Sequence, residues 1–145
     1  MIDQRLAPYG VFALRAALGI MFIAHAYLKY GVFTVAGFEN FLGSVGLPAL
    51  FAWPIILAEA AGGIALLVGF HSRLVSVLLL PVLLGALAIH APNGWVFNAP
   101  NGGWEYPAFL AITALAQAFA GDGAFAMKRT AVPALGTGKP AIRMA

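Results

Sequence analysis

The chain has 145 residues, of which 62% are hydrophobic and only 9% charged, and its mean hydropathy is +0.91. A soluble domain carries about 25% charged residues, so this chain cannot cover a water-facing surface and lipid must solvate much of it. The net charge of +3 is not gathered on a basic helix face with interleaved aromatics, which excludes nucleic-acid binding; the absence of cysteine excludes disulfides, thiol nucleophiles, dithiol redox motifs and Cys-ligated clusters.

Four apolar runs predict four transmembrane helices, over residues 8–30, 50–70, 73–91 and 106–120. Between the first two, Phe38, Phe41, Leu42 and Val45 recur at helical spacing and predict a short interfacial helix, read as a cap on the hairpin rather than a binding lid. Gly43, Gly46 and Pro48 then introduce the second run, with Pro54 in its first turn. Its Ala58, Gly62 and Gly63 form a small-residue face suited to close helix packing. His71, Ser72 and Arg73 separate the second run from the third, where Pro81 predicts a kink. Pro92, Gly94 and the stretch 98–103 set off the fourth run. The expected fold is therefore all-α, a four-transmembrane-helix bundle over 1–127 followed by a flexible cytoplasmic tail over 128–145. Arg5 and the Ala24-His25-Ala26 triplet superficially resemble a signal peptide. Arg15 interrupts that apolar stretch and three further runs follow, which argues against one.

Arg5, Arg73, Lys128, Arg129, Lys139 and Arg143 fall on one side of this topology and Lys29 on the other. The positive-inside rule then places both termini in the cytoplasm, with Trp53, Trp95 and Trp104 at the outer interface.

Polar residues within apolar helices face the bundle interior and require partners. Arg15, His25 and Lys29 share a wedge of about 80° on the first helix with Phe22. Arg15 lies about 10 Å and Glu59 about 15 Å above the cytoplasmic ends of their spans, which predicts a buried Arg15–Glu59 ion pair. His25 and His90 come to similar depth near the outer surface, at about 25 Å. With Lys29, Glu105 and Tyr106 they are expected to form an outer polar pocket able to move protons or hold a polar head such as a quinone or an oxyanion. No His-x-x-x-His or Glu-x-x-His spacing pre-forms a metal site, and none is expected. Each residue also has an architectural reading: Arg15–Glu59 as a clamp, Lys29 snorkelling, Glu105 as a first-turn charge, His90 as an interfacial histidine, and Gln117 as interhelical glue.

Several short segments, in order, resemble the DoxX family of small bacterial membrane proteins. They are the Leu14-Arg15-Ala16-Ala17-Leu18-Gly19 segment leading to His25 and Lys29, Gly46-Leu47-Pro48, Glu59-Ala60-Ala61-Gly62-Gly63, Leu66-Leu67-Val68-Gly69, Arg73, the turn from Asn101 to Tyr106, and Gly121-Asp122-Gly123. The resemblance implies a multi-pass inner-membrane protein similar to the DoxD-type subunit of a thiosulfate:quinone oxidoreductase, some relatives being linked to redox and oxidative-stress complexes. The function expected is that of an accessory or quinone-interacting subunit with a redox enzyme as partner, not a self-contained enzyme. Two alternatives stand beside it: a non-enzymatic scaffold for a soluble partner, and a small transporter acting as a homo-oligomer.

Overall fold

The computed structural model describes residues 3–131. Five α-helices account for most of them: α1 (Ala7–Tyr27), α2 (Val35–Ser44), α3 (Ala52–Val68), α4 (Ser72–His90) and α5 (Glu105–Ala120). Pro8 opens α1, where a missing N–H costs nothing. A π-helical turn, Leu28–Val32, extends it. Short 3-10 turns precede α3 and follow α4. Three of these helical segments are long and apolar enough to cross a bilayer: Ala7–Val32, Ala49–Val68 and Ser72–Asn93. They fall close to the first three expected spans. The fourth, α5, has 16 residues, about 24 Å at 1.5 Å per residue against a hydrocarbon core of about 30 Å. The expectation of four spans thus stands at three by length, with α5 a shorter apolar helix beside them.

Neighbouring helices alternate in direction. Gly19 of α1 meets Gly63 of α3 while Arg15 meets Gly69, so these two are antiparallel. Arg73 bonds to Ala118 while His90 bonds to Gly102, so α4 and α5 are antiparallel as well. Contacts of α1 with α3, α3 with α4, α4 with α5 and α5 with α1 close a ring. Leu18, Phe22, Leu66, Leu79, Leu83, Leu110 and Ala114 fill its centre.

The small-residue face of α3 serves two neighbours. A Cβ at Gly63 would lie 2.8 Å from the Gly19 carbonyl oxygen, and one at Gly19 the same distance from that of Gly63. At Gly62 it would meet the Leu79 side chain of α4. Helix α2 packs Phe38 and Leu42 against Ala52 and Ile56, leaving Phe41 and Val45 more exposed. Thr34 caps it by accepting the Gly37 N–H at 3.2 Å. Helix α4 runs through Pro81 unbroken.

The tight α3–α4 corner turns on Gly69, at φ +73°, and His71, at φ +47°. No side chain of its own caps α4. Asp122, beyond α5, does so from a distance: it accepts the N–H groups of Ser72 and Arg73, and the backbone N–H and hydroxyl of Thr130 at 2.9 and 3.1 Å. Burial raises the pKa of this carboxyl, but the four donors outweigh it and hold it below the ordinary aspartate value. The Met127 and Lys128 N–H groups donate to Val68 and Gly69, and Lys128 accepts from His71. The first residues of the expected tail, Lys128 to Thr130, thus hydrogen-bond to this corner and to Asp122; its residues 132–145 lie outside the described residues.

Two outcomes follow for thermal unfolding in detergent. Gly63→Ala should destabilise by about 1–3 kcal/mol through backbone overpacking, whereas Gly85→Ala, whose Cβ meets nothing within 4 Å, should be neutral or stabilising by up to about 1 kcal/mol. Asp122→Asn should cost about 0.5–2 kcal/mol. Because the folded pKa is depressed, this contribution is present above the unfolded aspartate value and is lost as pH falls through the folded one; unfolding midpoints of wild type and Asp122→Asn should converge on acidification.

Candidate functional site

The expected Arg15–Glu59 pair does not form. Glu59 instead takes Lys29, whose Nζ lies 2.8 Å from both carboxylate oxygens. Helical side chains lean toward the helix N-terminus. In antiparallel α1 and α3, that leans Lys29 and Glu59 toward each other and Arg15 and Glu59 apart. Lys29 lies in the π turn, beneath α2, and its ammonium sits 5.6 Å from the Phe38 ring centroid. Glu59 is 4% exposed, so the pair is largely shielded from water.

Arg15 points to the opposite end of the bundle. Its Nη2 donates to the Ala124 carbonyl at 3.0 Å, and its guanidinium lies 5.4 Å from the Phe12 centroid. Gly69 leaves room for it, since a Cβ there would coincide with Nη1. Arg15, Ser72, Ser76 and Gln117 are fully buried. Gln117 donates to the Gly121 carbonyl at 2.6 Å, joining its own helix to the following turn rather than two helices.

The residues of the expected outer pocket divide. His25, His90 and Tyr106 line a cleft of about 340 Å³ with Phe97, Gly102, Gly103 and Pro107. The His25 and Tyr106 rings stack at 5.8 Å between centroids and 23° between planes. His90 Nδ1 is 3.0 and 3.1 Å from the carbonyl oxygens of Asn101 and Gly102. Since both partners only accept, Nδ1 carries a proton, which in the neutral ring leaves Nε2 as the acceptor. Lys29 and Glu105 do not line the cleft. Lys29 is taken by Glu59, and Glu105 Oε1 accepts the Phe97 N–H at 2.7 Å, fastening the loop between α4 and α5. Asn93 donates to the same Asn101 and Gly102 carbonyls as His90.

Sequence patterns missed the lining glycines. A Cβ at Gly103 would collide with the Trp95 and Val96 carbonyls, and Gly102 has φ +79° beside the His90 ring. The Asn101-Gly102-Gly103 run was their signal: it reads as a turn, but only the folded loop shows that its backbone floors the cleft. Asp122 was missed for a similar reason, a lone acid between two glycines whose partners are Thr130 and the start of α4. Among the described residues no three His, Asp or Glu side chains converge as a metal-ligand set.

Lys29→Met and Glu59→Gln should each lower stability by about 3–5 kcal/mol, since each strands a buried group. The double variant Lys29→Met/Glu59→Gln should lose clearly less than the sum in thermal unfolding, whereas additive losses would show no coupling.

The DoxX family matches residues 10–92, from the beginning of α1 to the end of α4. A relative from Bacillus subtilis (strain 168), named "Putative oxidoreductase CatD", is 36% identical over 78 residues, 54% of this chain. The matched region spans 57% of that relative's length. No solved structure shows a significant match. The family match takes in His25, Lys29, Glu59 and His90 and covers more than half of the sequence; the chain belongs to the DoxX family.

Proposed function

We propose that this chain is a multi-pass inner-membrane protein with α5 as its fourth span and both termini in the cytoplasm, acting as an accessory, quinone-interacting subunit of a membrane redox system. The observation that carries the reading is the cleft itself, where His25 stacked on Tyr106 faces His90 across a glycine floor. Its volume of about 340 Å³ is at the small end of ligand pockets, suited to a single ring. Its lining is apolar and aromatic with few polar groups, as a flat, weakly polar head requires. The oxidoreductase name of the Bacillus relative agrees with redox work but specifies no substrate.

A quinone held there would supply the two-electron chemistry. Phe97 and Pro107 would give the ring apolar contact. His25, which makes no hydrogen bond among the described residues, would donate to a carbonyl oxygen. His90 Nε2, with its tautomer set by the two loop carbonyls, would accept a hydroxyl proton. The chain has no cysteine and no haem attachment motif, so a partner enzyme would take or give the electrons. The scaffold reading draws on the Lys29–Glu59 pair, which serves architecture without chemistry.

Protein purified with its native lipids should carry extractable quinone, and His25→Ala and His90→Phe should each lower that content about tenfold, the loss expected of a 1.4 kcal/mol interaction. Equal quinone in wild type and both variants, or none in wild type, would sink the cleft assignment. A redox enzyme retained in mild-detergent pull-downs by wild type and variants alike would favour the scaffold.

A further inference from the structure

At the opposite end of the bundle, a second cleft of about 410 Å³ lies between the start of α1, the end of α5 and the segment 121–130. Pro8, Val11, Arg73, Asp122, Arg129 and Thr130 line it. Among the described residues neither Arg73 nor Arg129 has a carboxylate within ion-pair distance. Arg73 spends one guanidinium donor on the Ala118 carbonyl at 3.2 Å, and Arg129 is exposed. Asp122, the one acid in the lining, is already engaged by the N–H groups of Ser72, Arg73 and Thr130 and by the Thr130 hydroxyl. The lining therefore presents two guanidinium groups against a single carboxylate whose oxygens are occupied.

The neighbours of these residues are apolar and uncovered. Leu6, Phe119, Phe125 and Met127 are 66%, 74%, 72% and 68% exposed. Phe125 packs edge-on against Tyr9 and Phe12, extending the apolar surface along α1. Unpaired guanidinium groups at the end of apolar helices, bordered by exposed apolar side chains, complement an amphiphile with an anionic head. A soluble anion has no use for the apolar border. A zwitterionic lipid would bring its own cation against Arg73 and Arg129.

We propose that this cleft binds the phosphodiester headgroup of an anionic phospholipid through Arg73 and Arg129, its acyl chains lying against the apolar surface of α1 and α5. The assignment is independent of the quinone reading, since it uses the other end of the bundle.

Native mass spectrometry of the full chain in detergent, with equal amounts of phosphatidylglycerol or phosphatidylcholine, tests it. Phosphatidylglycerol should be retained preferentially. Arg129→Gln, which breaks no side-chain hydrogen bond among the described residues, should cut that preference about fivefold, and Arg73→Gln/Arg129→Gln should abolish it. Arg5→Gln, at an exposed arginine outside the cleft lining, should leave it unchanged. Equal retention of the two lipids, an undiminished preference in Arg129→Gln, or an equal loss in Arg5→Gln would overturn the proposal. Displacement of the lipid by millimolar inorganic phosphate would also overturn it, by making this a site for the free anion.

Discussion

The backbones of α1 and α3 touch at Gly19 and Gly63, and this contact sets the register for the polar groups above and below. With no side chain between them, the helices approach closely enough that a Cβ on either glycine would press on the other's carbonyl. Antiparallel from that point, they bring Lys29 to Glu59 at one end and Arg15 to Gly69 at the other. Sliding one helix by a turn, about 5.4 Å, would separate Lys29 from Glu59 and drive the Arg15 guanidinium into a residue that has a side chain. The glycine contact and the ion pair therefore select the same alignment.

The two ends of the bundle differ in chemistry. The cleft of His25, His90 and Tyr106 is built from aromatic rings over a floor of backbone. The carboxylates near it are engaged elsewhere, Glu59 by Lys29 and Glu105 by the Phe97 N–H. The other end concentrates guanidinium groups around one heavily hydrogen-bonded aspartate. In a low-dielectric interior an unpaired carboxylate is expensive, and both Glu59 and Asp122 have donors to meet them.

Hydropathy and turn residues made the helices legible, because the period and length of an apolar run are local properties. The all-α class, the helix between the first two long segments and the break at His71, Ser72 and Arg73 follow from runs of ten to twenty residues. The bounds of α5 were legible too, 106–120 against Glu105–Ala120; its length simply falls below that of the three longer segments. In the candidate site, the grouping of His25, His90 and Tyr106 was legible from depth along each helix. The partners of Arg15, Lys29 and Glu105 were not. Depth treats a side chain as a point on its helix, whereas a lysine or arginine reaches several ångströms along the axis in the direction its Cβ leans. Glu105 failed differently: its position beside the pocket was right, but the loop's unpaired N–H at Phe97 claimed it.

Asp122 lies outside the family-matched residues 10–92, yet it supplies the cap at the beginning of α4. Because the chain is made from its N-terminus, α3 and α4 therefore precede the residue that meets the N–H groups at the start of α4. Those groups wait until α5 and the segment carrying Asp122 and Thr130 have followed. The last described stretch of the chain is thus a clasp, holding the α3–α4 corner from outside both helices.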